Sequence, residues 1–155
     1  MRKIEIVFTA LLSVIAPTVW SQANTDADSQ LAQRVHAAYL QATANISAPT
    51  IRADAVLQYL NEGRVLLVDV REDAEIAVSR IPGALTVTEF ERAYRTNALP
   101  KDKTLVAYCT IGYRSGKFAE KVSARGVPIR NLEGGILAWV GLRGPLVRTD
   151  TAGVS

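Results

Sequence analysis

The stretch of sequence that decides the fold is TLVAYCTIGYRSGKFAEKVSARG, residues 104–126. It starts with a short apolar run, Thr104 to Tyr108, that is typical of a buried β-strand. A loop with a cysteine and a glycine follows, and residues 115–125 then predict an amphipathic helix that stops at Gly126. A strand that passes through a tight loop into a helix is the repeating unit of parallel sheets, so this stretch predicts an α/β domain.

The same alternation of strands and helices continues on both sides. Residues 65–70 (VLLVDV) predict a second buried strand, and residues 127–132 predict a third. Helices are predicted between and around these strands, over residues 54–61, 73–78, 88–95 and 136–141. The third helix opens with Thr88 and Glu91, whose spacing fits a capping box. The expected fold is α/β, with a mainly parallel sheet flanked by helices on both faces.

Composition limits the chemistry more than it limits the fold. The chain has 155 residues, 48% of them hydrophobic, which fits one domain with a substantial core. It contains one cysteine and one histidine, so neither an intramolecular disulfide nor a Cys/His zinc cluster can form within it. We therefore expect a site with few special residues and with no metal and no cofactor.

The first residues have the pattern of a secretory signal peptide. Residues 1–23 begin with a basic pair, continue with an apolar run over residues 6–19, and end in a small-x-small pattern at Ser21 and Ala23. The run is shorter than the ~20 apolar residues that a bilayer-spanning helix needs. We expect cleavage near Ala23, no stable membrane anchor, and a periplasmic or secreted mature protein. An uncleaved anchor is the alternative, which an intact-mass measurement distinguishes.

Residues 24–50 predict a short helical extension before the main domain. Leu31, Val35 and Tyr39 have helical spacing, and the segment ends at a stretch around Pro49 that disfavours helix. His36 lies in this segment with no cysteine or carboxylate arranged around it, so a surface or packing role is expected. Residues 148–155 are interpreted as a C-terminal tail.

Net charge excludes two classes of partner. The formal net charge of the whole chain is +3, and it falls to +2 if the signal peptide takes two basic residues and one acidic residue with it. This excess is too small to indicate binding to nucleic acid or to an anionic membrane. We expect neither as a partner.

Cys109 is the strongest candidate for chemistry. It directly follows the strand that ends at Tyr108, and ligands of parallel α/β sheets bind beyond the carboxyl ends of the strands. The N–H groups of the loop and the positive end of the next helix dipole would face its sulfur and favour the thiolate. Gly112 gives the loop conformational freedom, and Arg114 offers a planar fork of donors for an anion. The alternative is an inert buried thiol.

Three segments, in this order, resemble the rhodanese domain of the sulfurtransferase superfamily. They are LLVDVREDAEIAVSRIPGA (residues 66–84), LVAYCTIGYRSGKFAEKVSARGV (residues 105–127) and NLEGGILAW (residues 131–139). The resemblance covers about residues 51–147. It implies a three-layer rhodanese-like fold, with a mainly parallel sheet between two layers of helices.

The resemblance also implies roles for individual residues. Cys109 is the nucleophile that carries the transferred sulfur as a persulfide. The loop that binds this persulfide and the substrate comprises Thr110, Ile111, Gly112, Tyr113 and Arg114, with Ser115 opening the following helix.

Asp69 and Arg71 match the D-x-R pattern of the family, in a supporting role. The alternative for them is purely structural, because Arg71 and Glu75 have the i, i+4 spacing of a helical ion pair.

Three further positions carry separate expectations. Ser79-Arg80 stands where the family usually has Gly-His, so Arg80 is either a solvated charge or a source of positive potential near the site. Trp139 is expected in the core and Tyr113 at the rim of the pocket. Gly134-Gly135 predicts a tight strand-to-helix turn, since the other glycines of a nucleotide-binding fingerprint are absent.

The implied activity is sulfur transfer. A small anionic donor such as thiosulfate would load Cys109, and cyanide or a thiol would accept the sulfur. A first alternative is a relay or binding module that passes sulfur to an acceptor protein. A second is a related phosphatase or arsenate reductase, whose loops have five residues between cysteine and arginine. Four residues separate Cys109 from Arg114, a spacing that favours sulfur chemistry.

Overall fold

The structure is a computed structural model that describes residues 16–148, with side chains from residue 26 onward. The elements follow in the order α1 (Ala16–Ala42), β1 (Thr50–Ile51), α2 (Ala53–Asn61), β2 (Val65–Asp69), α3 (Asp73–Val78), β3 (Leu85–Thr86), α4 (Val87–Arg95), β4 (Thr104–Tyr108), α5 (Tyr113–Ser123), β5 (Ile129–Leu132) and α6 (Gly135–Gly141). Most of the predicted signal peptide and of the C-terminal tail lies outside the described residues. No helix in the described part of the chain is long and apolar enough to cross a membrane.

The five strands form one sheet in the order β1-β5-β4-β2-β3. Every neighbouring pair is parallel, which confirms the predicted sheet type. Strand β4 is central, between β2 and β5, and the pairing of Asp69 with Tyr108 aligns the carboxyl ends of β2 and β4. The loop that contains Cys109 therefore leaves from the middle of the sheet edge.

Both faces of the sheet are covered by helices, as predicted. Successive residues of a strand point to opposite faces, so the two faces carry different side chains. One face packs against α2 and α6 through a cluster that includes Val56, Leu67, Val106, Leu132 and Trp139. The other packs against α4 and α5 through a cluster that includes Val68, Phe90, Ala107, Ala119 and Val122. The three-layer α/β architecture is confirmed.

The predicted capping box of α4 is wrong by two residues. The N-cap is Thr86, whose hydroxyl accepts the N–H of Glu89 at 3.2 Å while the Glu89 carboxylate accepts the N–H of Thr86 at 2.8 Å. The pattern Thr-x-x-Glu occurs twice in succession here, so spacing alone cannot choose between them. Pairing of β3 with β2 ends the strand at Thr86 and selects the first pattern. Glu91 instead binds Arg125 at 2.6 Å.

The N-terminal helix and the two edge strands also differ from expectation. Helix α1 has 27 residues and is not short. Of its predicted apolar face, Tyr39 is buried, whereas Leu31 is 46% exposed. Strands β1 and β3 have two residues each, too few to leave a periodic signal in the sequence, and were not predicted.

Candidate active site

Cys109 lies directly after β4 and is almost fully buried, with 1% of its surface exposed. The N–H of Gly112 donates to its Sγ at 3.1 Å, and Oγ of Ser115 lies 3.4 Å from the same atom. Gly112 has a φ of +112°, a left-handed conformation that side-chain-bearing residues rarely adopt. The turn around the sulfur therefore depends on glycine at this position, as the sequence indicates.

Helix α5 begins at Tyr113, two residues before the predicted start at Ser115. Gly112 is its N-cap, and its left-handed conformation turns the chain into the helix at once. Tyr113, Arg114 and Ser115 therefore form the first helical turn and do not belong to the loop. The N–H groups of a first turn have no partner within the helix, so they are free to face the sulfur.

These groups change the ionisation of Cys109. Burial opposes the thiolate, but hydrogen bonds from the Ser115 hydroxyl and from backbone N–H groups outweigh it. The pKa of Cys109 lies below its ordinary value as a result. The contributing N–H groups belong to Ser115, Gly112 and Ile111. A lowered thiol pKa without a neighbouring histidine agrees with the chemistry expected from the sequence.

The other side of the loop is held by the start of α6. The N–H of Ile136 donates to the carbonyl oxygen of Cys109 at 2.8 Å, and that of Leu137 donates to the carbonyl oxygen of Thr110 at 3.3 Å. Gly135 has a φ of +54° and lies so close to the carbonyl of Cys109 that a Cβ would collide with it. Gly134-Gly135 is the predicted tight turn, and it also brings α6 against the loop carbonyls. The two hydrogen bonds thus fix the positions of the Cys109 and Thr110 carbonyl groups.

A buried asparagine, which sequence reasoning missed, completes the support of the loop. Asn131 in β5 is fully buried, its Oδ1 lies 2.7 Å from Oγ of Ser115, and its Nδ2 donates to the carbonyl of Gly112 at 2.9 Å. A buried side-chain amide is costly unless it is hydrogen-bonded. The signal that could have identified it is its place two residues after Ile129, which puts the asparagine on the same buried face of β5 as that apolar residue.

Arg114 is bound by Glu75 from α3. Its two terminal nitrogens donate to the Glu75 carboxylate at 2.8 and 2.9 Å, and one of them also donates to the Thr110 hydroxyl at 3.1 Å. The Arg114 guanidinium lowers the pKa of Glu75 to about 2. The predicted pairing of Arg71 with Glu75 is wrong, because α3 turns Glu75 toward the cysteine loop. The donor fork that the sequence assigns to an anionic substrate is held by this carboxylate.

Arg71 instead forms a buried ion pair with Asp69. Its Nε and one terminal nitrogen donate to the two carboxylate oxygens at 2.9 and 2.7 Å, and the side chains are 6% and 1% exposed. The same arginine donates to the carbonyl of Ser79 at 2.6 Å. The Tyr108 hydroxyl donates to Asp69 at 2.6 Å and accepts the N–H of Ile81 at 3.1 Å. This network ties β2, β4 and the segment after α3 together behind the site.

Similarity to known proteins agrees with this geometry. The family model of the rhodanese-like domain matches residues 52–142, more than half of the chain. The chain belongs to the rhodanese-like domain family. Residues 26–51, which include the described side chains of α1, precede the matched region.

Individual relatives of this rhodanese-like domain indicate sulfurtransferase activity in general. A sulfurtransferase of Allochromatium vinosum is 40% identical over 87 residues, which cover 56% of this chain and 81% of that protein. The structure of a rhodanese-related protein of Thermoplasma volcanium, with 29% identity and a TM-score of 0.54, covers 64% of this chain and 97% of that one. The thiosulfate sulfurtransferase of Pseudomonas aeruginosa, with 25% identity and a TM-score of 0.59, matches over 68% of this chain and 20% of that one.

The remaining predicted residues take these places in the rhodanese-like domain. Tyr113 is 50% exposed beside the cysteine loop, and Trp139 is fully buried with its Nε1 donating to the carbonyl of Pro145 at 2.9 Å. The backbone of Arg80 pairs with Val147 in an antiparallel bridge. Its charge contributes to the lowered pKa of Glu89, for which the Thr86 backbone is the largest cause. The structure thus places Arg80 near the start of α4.

Proposed function

We propose that this protein transfers a sulfane sulfur from thiosulfate, through a persulfide on Cys109, to cyanide or a thiol. The observation that carries the proposal is the convergence of the Gly112 N–H and the Ser115 hydroxyl on a buried Sγ, together with the lowered pKa of that thiol. Donors fixed around a sulfur stabilise negative charge on it, both as thiolate and as persulfide.

In the first step the Cys109 thiolate attacks the outer sulfur of thiosulfate. A new S–S bond forms, the S–S bond of thiosulfate breaks, and its electron pair leaves with sulfite. Cys109 then carries a persulfide anion, and total charge is unchanged. No proton transfer is needed, so the absence of a histidine base from the loop sequence does not impede the step.

In the second step an external acceptor removes the terminal sulfur. Cyanide attacks this atom, the persulfide S–S bond breaks toward Cys109, and thiocyanate leaves while the thiolate is regenerated. A thiolate acceptor reacts in the same way and leaves as its own persulfide. Cys109 is the single cysteine of the chain, so no internal thiol can take the sulfur.

Intact-mass measurement tests the loading step. The wild-type protein mixed with thiosulfate should gain about 32 mass units, the mass of one sulfur atom, and cyanide should remove them. The Cys109→Ser variant is the control and should gain nothing. A wild-type protein that stays at its original mass with thiosulfate, mercaptopyruvate and a small persulfide would disprove the proposal.

A sulfur relay to an acceptor protein is the second candidate. It is favoured by the surface beside the loop, where the exposed ring of Tyr113 lies next to Arg114 and where Glu72 approaches that arginine to 4.0 Å. Such a mixed aromatic and charged surface is typical of protein contacts. Slow turnover with cyanide, combined with fast transfer of labelled sulfur to one protein of a periplasmic extract, would identify the relay.

We also propose the periplasm as the site of this transfer, on the signal-peptide pattern of residues 1–23. When the full chain is expressed in a Gram-negative host and the cells are fractionated, the periplasmic fraction should contain a protein whose N-terminus follows Ala23. Recovery of the uncut chain in the cytoplasm would contradict this assignment.

A further inference from the structure

The N-terminal segment before the rhodanese-like domain packs against three glycines around the cysteine loop. A Cβ on Gly112 would lie 2.7 Å from Cε2 of Tyr39, and a Cβ on Gly116 would lie 2.8 Å from Cγ2 of Ile46. A Cβ on Gly134 would likewise lie 3.1 Å from Cγ1 of Val35. At Gly112 and Gly116 a side chain of this segment is the nearest neighbour, whereas at Gly134 the Cβ of Ala138 is nearer still, at 2.7 Å.

The contact at Gly112 bears directly on the sulfur. The N–H of Gly112 donates to Sγ of Cys109, and its carbonyl accepts Nδ2 of Asn131. The Tyr39 ring covers the free face of this residue, and Tyr39 is 5% exposed whereas its neighbour Leu40 is 55% exposed. Because a glycine with positive φ has many alternative conformations, packing on its open face restricts the orientation of its N–H.

The chain after Tyr39 is anchored to the same elements that carry the site. The N–H of Ser47 donates to Oε1 of Glu120 in α5 at 2.7 Å. The N–H of Asn131 donates to the carbonyl of Pro49 at 2.7 Å. These bonds hold the segment against both α5 and β5, so Tyr39 is fixed relative to the loop.

We propose that Tyr39 is a positioning residue of the active site, which holds the Gly112 N–H on the sulfur of Cys109 from outside the rhodanese-like domain. The effect of Tyr39 on the turnover rate rests on the proposed sulfur transfer, whereas its effect on the ionisation of Cys109 does not. Loss of the ring opens a cavity beside Gly112, admits water and lets the peptide rotate. The thiolate then loses a hydrogen bond, and the pKa of Cys109 rises.

The test compares full-length wild type with Tyr39→Ala, Tyr39→Phe and Leu40→Ala. Iodoacetamide alkylation of the single cysteine, measured against pH, gives the thiol pKa without any sulfur-transfer assay. Tyr39→Ala should move the alkylation midpoint upward by about one pH unit and lower kcat about tenfold, with a smaller change in KM. Tyr39→Phe keeps the ring and should rescue the wild-type profile. Leu40→Ala, next to it on the exposed face, should match wild type.

Two outcomes overturn the proposal. One is a folded Tyr39→Ala variant with the wild-type alkylation profile. If Tyr39→Ala does not fold, Tyr39→Leu replaces it, because leucine retains most of the buried apolar volume without the flat ring. A wild-type alkylation profile for Tyr39→Leu is the second outcome that overturns the proposal. Failure of the wild type to form a persulfide would disprove the proposed function, while the alkylation profiles would still decide the role of Tyr39.

Discussion

Oδ1 of Asn131 lies 2.7 Å from the Ser115 hydroxyl oxygen, in a pair of fully buried side chains. The hydroxyl has a single proton, and Sγ of Cys109, 3.4 Å away, is its other acceptor. Asn131 cannot rotate its amide to donate instead, because its Nδ2 is bound to the carbonyl of Gly112. The amide oxygen therefore competes with the thiolate for the Ser115 proton.

Replacing Ser115 with alanine should raise the pKa of Cys109. A hydrogen bond to a charged group contributes about 1.5–3 kcal/mol, and competition from Asn131 reduces its effect here, so we expect a shift of about one unit. Because the wild-type pKa is depressed, the rate at which the wild type reacts with iodoacetamide reaches its plateau at lower pH than that of the variant. Alkylation rates measured by stopped flow from about pH 5 to about pH 10 would give the midpoint, since this range brackets the ordinary thiol pKa of about 8.5. An unshifted midpoint would mean that the backbone N–H groups alone stabilise the thiolate.

Neutralising Glu75 should strengthen the binding of an anionic donor. In Glu75→Gln the Arg114 fork loses its carboxylate partner and becomes available to thiosulfate, so KM should fall about threefold, in the range of an exposed ion pair. Steady-state kinetics with thiosulfate and cyanide measure the change. Asp73→Asn is the matched control, since it removes the same charge from an exposed position of α3. A higher KM in the Glu75 variant alone would show that the pair positions Arg114 for the substrate.

Removing the Asp69 carboxylate should destabilise the fold. Asp69→Ala leaves Arg71 buried without its counter-charge and removes the acceptor of the Tyr108 hydroxyl, which should lower the free energy of unfolding by about 3–5 kcal/mol. Urea denaturation followed by tryptophan fluorescence measures the loss. The control is Asp54→Ala, which breaks the exposed pair with Arg52 and should cost less than about 1 kcal/mol. Equal losses in the two variants would contradict the assignment of a supporting network.

A methyl group at Gly135 should disrupt the cysteine loop. Gly135→Ala would place its Cβ against the Cys109 carbonyl, in addition to the strain of a positive φ. Gly63→Ala carries the same kind of strain at a φ of +68° but has open space around it, so it isolates the collision. We expect persulfide formation to slow at least tenfold in Gly135→Ala alone, as for a displaced catalytic group. Comparable rates in both variants would show that the loop tolerates a shift of α6.

Apolar runs and capping residues in the sequence were sufficient to predict much of the fold. The strand from Thr104 to Tyr108 and the helix from Asp73 to Val78 have the predicted boundaries, because apolar runs and caps are short-range signals. The place of Cys109 at the carboxyl end of a buried strand was also readable, as was the need for glycine at position 112. The alternation of strands and helices also predicted the layer arrangement, and the family motifs agreed with it.

Sequence by itself thus indicated the order of the longer strands and helices and the cysteine that we propose as the nucleophile. The tertiary structure alone decided what surrounds that residue: Glu75 meets Arg114 across 39 positions of the chain, and Asn131 and Tyr39 reach the loop from segments that are distant in sequence. Periodicity and spacing describe neighbours within a few residues. Contacts between distant segments depend on how parallel strands and their helices pack, because only packing brings their side chains within hydrogen-bonding distance.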